Sequence, residues 1–232
     1  MLPNDVRVIA VDLLGFGQSP KPSWIKYNAK TQARSVAATL VKMKLSQQPI
    51  IVGHSLGALV AVATAKRYPF TIKHLILCSP PFYKPETQED GVFQRDILLR
   101  KIYRQTMKHP ETFQRLSQLA IKVGLANKSL DLSGDRLDTY FATLETSIIN
   151  QTSLKDIERL RLPITILYGM FDPMVIGSHI RKLAKTRSNI SAQRLFTGHE
   201  IVGAYEKKVA EVIKGMAEKS NSQSRQSINS IH

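Results

Sequence analysis

A chain of 232 residues with 43% hydrophobic and 22% charged residues has the length and balance of one soluble, globular domain with a substantial core, which excludes a disordered protein. No apolar run is long enough to cross a bilayer, Met1-Leu2-Pro3-Asn4-Asp5 is not a signal peptide, and the single Cys78 excludes an intramolecular disulfide framework, so a cytoplasmic protein without membrane insertion is expected. The formal charge of +15 raises nucleic-acid binding, but the basic residues are scattered (Lys66-Arg67, Arg100-Lys101, Lys207-Lys208) without an aromatic-interleaved motif, so a basic solvated surface with no specific nucleic-acid partner is expected.

Val6 to Asp12 reads as a buried strand, followed by the glycine-rich turn Leu14-Gly15-Phe16-Gly17-Gln18-Ser19-Pro20. A helix is expected from Ala29 to Leu45, where Ala33, Val36, Ala37, Leu40, Val41 and Leu45 recur at helical spacing. Pro49-Ile50-Ile51-Val52 has the length and β-branching of a buried strand, and Ala58 to Ala65 the Ala/Leu content of a helix packed on a sheet. Another strand runs from Ile72 to Cys78 and closes on Ser79-Pro80-Pro81. Apolar stripes then suggest amphipathic helices around Phe93–Tyr103, Phe113–Val123 and Leu137–Ile148. Alternation resumes with a strand at Ile164–Tyr168, a helix at Val175–Lys185, a strand at Ile190–Phe196 and a helix at Ala204–Glu218; residues 220–232, rich in Ser, Asn and Gln, read as a disordered tail.

Strand–helix alternation implies an α/β fold: a mostly parallel sheet with helices on both faces, interrupted by a helical lid. The expected organisation is a core in two parts, residues 1–80 and 163–219, a cap over 81–162 and a tail over 220–232. Reactive groups in such sheets gather at the carboxyl ends of the strands.

One such end carries Gly53-His54-Ser55-Leu56-Gly57. A serine between glycines at a strand-to-helix junction reads as a nucleophile elbow, in which a tight, strained turn lifts the hydroxyl above the sheet and requires small neighbours. The pattern alone is a weak signal; the strand before and the helix after it carry the assignment. A serine hydroxyl needs a base to take its proton and an acid to orient that base. Of six histidines, only His199, in Thr197-Gly198-His199-Glu200, follows a strand on the required edge. His54 is expected to point away from Ser55, His74 precedes its strand, His109 lies in the cap, His179 in a helix and His232 in the tail. Asp172, in the loop after the penultimate strand, is the expected acid, against the plainer reading of a turn or helix-capping aspartate; the position after Cys78 offers Ser79 and no carboxylate. The order Ser55, Asp172, His199 is that of one of the serine-triad designs.

With these residues in place, the chain resembles the alpha/beta-hydrolase family, in its lidded, single-domain branch. The matching stretches are Asp12-Leu13-Leu14-Gly15-Phe16-Gly17-Gln18-Ser19, Gly53-His54-Ser55-Leu56-Gly57, Gly169-Met170-Phe171-Asp172 and Gly198-His199, in family order. The resemblance implies a serine hydrolase cleaving an ester, thioester or related acyl bond of a small-molecule substrate through an acyl-enzyme, with no cofactor and no metal. Serine at position 55 argues against haloalkane dehalogenases and epoxide hydrolases, whose elbow carries aspartate.

The family sheet has further strands before the Asp12-Leu13-Leu14-Gly15 segment, one of them beside the elbow strand and followed by a His-Gly loop that supplies half of the oxyanion hole. No counterpart stands in this sequence. The resemblance therefore implies an N-terminally truncated core, with Val6–Asp12 either paired with Ile50–Val52 or standing apart, and with the backbone N–H of Leu56 as the remaining oxyanion donor. Two other readings stay open: a non-catalytic, truncated or degenerate hydrolase acting as a binding protein, and a basic nucleic-acid binder.

Overall fold

The apolar runs pair into a four-stranded, wholly parallel sheet whose spatial order follows the chain. Its strands are β1 (Ile50–His54), β2 (His74–Cys78), β3 (Ile164–Gly169) and β4 (Ile190–Leu195). Register runs from Ile50 opposite His74, through Leu75 opposite Ile164, to Ile164 opposite Ile190. The computed structural model describes residues 6–83 and 152–218, the backbone of 219–229, and a few isolated positions elsewhere.

The two central strands are buried on both faces, and their sequences, His-Leu-Ile-Leu-Cys and Ile-Thr-Ile-Leu-Tyr-Gly, are almost unbroken apolar runs for that reason. The edge strands are more exposed: Val52 on β1 is 43% exposed, and β4 carries the exposed Ser191, Gln193 and Arg194. Cys78 is buried in β2.

The flanking helices are α1 (Ala29–Lys42), α2 (Leu56–Arg67), α3 (Ser153–Ile157) and α4 (Gly177–Thr186). Asn28 caps α1 by accepting a hydrogen bond from the Thr31 N–H at 2.9 Å. That helix ends at Lys42 rather than Leu45, because Lys44 turns left-handed at φ 45°. Gln32 and the small Ala33 and Ala37 are its buried positions, α1 packs against α2, and Val41 stays exposed. The core joins Leu59 and Val62 of α2, Leu75 and Leu77 of β2, Ile164 and Ile166 of β3, and Ile180 and Leu183 of α4. It also includes Phe82, Tyr83, Ile157 and Leu160, so the described ends of the 81–162 range pack with the body. The helices expected at Phe93–Tyr103, Phe113–Val123 and Leu137–Ile148 lie outside the described residues, isolated positions aside.

Two expectations are corrected. Residues 6–12 form no strand, and Val8 and Val11 are 68% and 40% exposed. A β-branched run becomes a strand only when a neighbour completes its backbone hydrogen bonds, and none of the four strands pairs with it. At the other end, the helix α5 (Ala204–Asn229) continues through residues expected to be disordered. No Gly or Pro interrupts it after Gly215, and extending an existing helix costs far less than nucleating one. The described residues fall into two compact units: those up to Val11 with those from Ile201 onward, and those from Asp12 to Glu200. The second unit holds the whole sheet and every residue of the candidate site.

Candidate active site

Ser55 stands between β1 and α2 with φ 52° and ψ −116°, a conformation that costs a non-glycine residue about 1–3 kcal/mol. The surroundings fix it. The Ser55 N–H donates to the Cys78 carbonyl at 2.9 Å, and its own carbonyl accepts from the Ala58 N–H at 3.0 Å. Gly53 makes the turn possible, because a Cβ there would lie 2.5 Å from the Gly57 carbonyl oxygen and 2.8 Å from the Ala58 nitrogen. The other flanking glycine is not under the same constraint: a Cβ on Gly57 would meet nothing within 4 Å. Ser55 occupies the capping position of α2, yet its side chain makes no capping bond, so the hydroxyl is not consumed by the helix. The first N–H groups of α2, beginning with Leu56, have no intrahelical acceptor and carry the positive end of the helix dipole.

On the far side of β2, the segments beyond β3 and β4 stay paired past the ladder. The Met170 N–H donates to the Leu195 carbonyl at 2.7 Å and the Phe171 N–H to the Thr197 carbonyl at 3.0 Å. Gly169 allows this close approach, since a Cβ there would collide with the carbonyl oxygens of Thr197 and Gly198. The consequence is that Asp172 faces His199, whose Nδ1–H donates to Asp172 Oδ2 at 2.8 Å. The other carboxylate oxygen accepts the Met174 N–H at 2.9 Å, an Asx turn ahead of α4. Asp172 thus serves the turn, as its plainer reading predicts, and the histidine as well. The capping position of α4 is Ile176.

The Asp172 side chain is fully buried. Burial alone would push its carboxyl up, but the hydrogen bond and charge of His199, with hydrogen bonds from Ser79 and Met174, outweigh it and hold the group below the usual carboxylate range. Ser79, itself fully buried, is thus a third donor to this carboxylate.

His54 meets the histidine loop. Its ring lies against that of His199, centroids 4.9 Å apart, and its Nε2–H donates to the His199 carbonyl at 2.9 Å. Burial, followed by the neighbouring His199, keeps its pKa below the ordinary value, so the ring is neutral. The contact brings the His199 loop to the residue next to Ser55. Between the two candidate catalytic side chains themselves, no hydrogen bond joins the Ser55 hydroxyl to His199, a common state of serine–histidine pairs without substrate. His74 meets Thr165 Oγ1 at 3.0 Å and His179 donates from Nδ1 to the Phe82 carbonyl at 2.8 Å, both away from this site. Among the described residues, no group of three or more His, Cys, Asp or Glu side chains is placed to hold a metal ion.

The family model for the alpha/beta hydrolase fold matches residues 2–200. The chain belongs to this family. It is 34% identical over 110 residues to the probable lysophospholipase BODYGUARD 2 of Arabidopsis thaliana, a match covering 47% of this chain and 23% of that protein. Lipase 3 of Moraxella sp. (strain TA144) is 26% identical over 181 residues, covering 73% of this chain and 55% of that one. The chain thus spans less than a quarter of the first of these relatives. Of solved structures, a thermophilic esterase from Thermogutta terrifontis superposes with a TM-score of 0.67 at 18% identity, over 90% of this chain and 78% of that one. MenH from S. aureus gives the same TM-score at 20% identity, over 91% and 83%. These similarities bear on the fold. Among the described residues, no helix is long and apolar enough to cross a membrane.

His54 and Ser79 are the two site residues whose contacts sequence reasoning missed. The signal available was position alone: each sits at or next to the carboxyl end of a strand, beside a residue already singled out.

Proposed function

We propose that this chain is a serine hydrolase that cleaves a carboxylic ester, or a related acyl bond such as a thioester, through an acyl-enzyme. The observation that carries the reading is the 2.8 Å bond between His199 Nδ1 and the buried Asp172, docked through His54 against the Ser55 elbow. Donation from Nδ1 fixes the imidazole tautomer and leaves Nε2 with the basic lone pair. In the proposed mechanism, Nε2 removes the Ser55 proton as the oxygen attacks the acyl carbon, then returns that proton to the leaving group. Water, deprotonated by the same nitrogen, releases the acid and restores Ser55. The carboxylate of Asp172 stabilises the imidazolium formed in both steps. In this mechanism the N–H of Leu56, at the positive end of α2, donates to the developing oxyanion.

Ester substrates are supported by the curated similarities to a probable lysophospholipase and a lipase. A small acyl compound in the cytoplasm fits the composition, with its single cysteine, and each step above uses only groups of this chain and water. Turnover of p-nitrophenyl esters is the test: Ser55→Ala should reduce it to the uncatalysed rate, and unchanged turnover overturns the assignment.

A second reading, a non-catalytic member of the family, draws on the edge position of β1 and on the unbonded Ser55 hydroxyl. A fluorophosphonate probe separates the two, since it labels Ser55 only where the serine is activated.

A further inference from the structure

Ser79 combines features that a packed surface or core serine does not need. It follows β2, the central strand lying between the strand that carries the elbow and the strand that leads to Asp172. It is fully buried, and its backbone is left-handed at φ 48°, a conformation that glycine adopts without penalty and serine does not. Both sides of the peptide are pinned: the preceding carbonyl, of Cys78, accepts the Ser55 N–H at 2.9 Å, and the Ser79 N–H donates to the Leu167 carbonyl at 2.8 Å. Its side chain hydrogen-bonds Asp172.

We propose that Ser79 is a positioning residue of the hydrolase: its buried hydroxyl, held in a strained backbone, fixes the Asp172 carboxylate and through it the His199 imidazole. This inference rests on the serine-hydrolase reading and extends it by one residue. A carboxylate held only by Met174 and His199 could rotate about its Cβ–Cγ bond, and the imidazole would follow it. Ser79 supplies a third point of attachment from a different strand. The same residue is one bond away from the carbonyl that holds the Ser55 N–H, so elbow and carboxylate are referenced to a single rigid position in the sheet. Glycine would relieve the strain at this position; serine retains it together with the hydroxyl.

Two variants test this. Ser79→Gly removes the hydroxyl and relieves the backbone strain, while Ser79→Ala removes the hydroxyl and keeps the strain. Both should lower kcat for a p-nitrophenyl ester about tenfold with KM unchanged, the scale of one hydrogen bond to a charged group. Both should slow fluorophosphonate labelling of Ser55 similarly. Ser79→Gly should melt no lower than Ser79→Ala. A purely structural serine would lower the melting temperature and leave kcat and the labelling rate in place. If the wild type labels at Ser55 and Ser79→Gly labels and turns over within twofold of it, the inference is overturned and the serine-hydrolase reading stands. If wild-type Ser55 is not labelled and Ser55→Ala turns over like the wild type, that reading falls and takes this inference with it.

Discussion

The two halves of the candidate site are built differently. Asp172 and His199 stand on loops after adjacent strands, and backbone bonds past the ends of β3 and β4, with donors from the Ser79 side chain and the Met174 backbone N–H, leave the carboxylate almost no freedom. Ser55 stands at the end of β1, which among the described residues pairs only with β2, and its hydroxyl makes no hydrogen bond to His199. The acid–base pair is therefore preorganised by the sheet itself. The nucleophile is preorganised by local strain: a tight turn, one indispensable glycine and a helix start. His54 is the described contact that ties the His199 loop to the elbow strand.

The sharpest way to break this comparison is at its rigid half. Asp172→Asn keeps the size of the side chain and an oxygen for the Met174 donor, but offers His199 an amide in place of a carboxylate. The imidazole then settles in the wrong tautomer. We expect kcat to fall about 10³–10⁴-fold with little change in KM and with the fold retained, checked by steady-state kinetics alongside thermal melting. A drop of only a few fold would show that the preorganised pair does not drive the chemistry.

The elbow half is tested by its two glycines, which the sequence pattern treats as equivalent and the structure does not. Gly53→Ala forces a Cβ into backbone atoms of Gly57 and Ala58, which no side-chain rotation relieves, and should destabilise by about 2–3 kcal/mol. Gly57→Ala meets open space inside a helix without a positive φ, and should stabilise by about 0.5–1 kcal/mol. Urea melts of the two variants check the sign of the difference. Equal losses would mean that the strain at Ser55 is shared across the turn rather than concentrated at its entry.

This contrast also marks how far the sequence was legible. Parallel sheets bury their central strands on both faces, so Leu75–Cys78 and Ile164–Tyr168 announce themselves as continuous apolar runs. In such a sheet, position after a strand is enough to select Asp172 and His199. Local pattern fails where a neighbour decides the outcome. Val6–Asp12 has the composition of a strand, and among the described residues no strand pairs with it. Gly57 carries half of a motif without the steric demand the motif implies. Ser79 was visible only as a place lacking a carboxylate, because its bond to Asp172 joins residues far apart in the chain. The orientation of His54 is equally a tertiary fact: the residue next to an elbow serine can face either way until the His199 loop arrives.

His54 also gives the smallest and most specific test of how the halves are joined. Burial and the proximity of His199 hold its folded-state pKa below the unfolded value of about 6.5, against the opposing pull of the His199 carbonyl, Glu200 and Asp172. The unfolded chain therefore takes up a proton at a pH where the folded chain still refuses it. Stability from this group is fully present above the unfolded pKa and declines as pH falls below it, until the folded ring is protonated too. His74, lowered by burial in β2, contributes a slope of the same sign. His54→Gln should therefore flatten, without abolishing, the decline in urea midpoint between pH 7.5 and 5, and the residual slope should disappear when His74→Gln is added. If the single variant keeps the full wild-type slope, the imidazole is solvated in solution and the contact between elbow and histidine loop is not maintained there. In that case the strained serine and the preorganised pair would have to be brought together by substrate, and Asp172→Asn and Ser79→Gly would act on KM as well as on kcat.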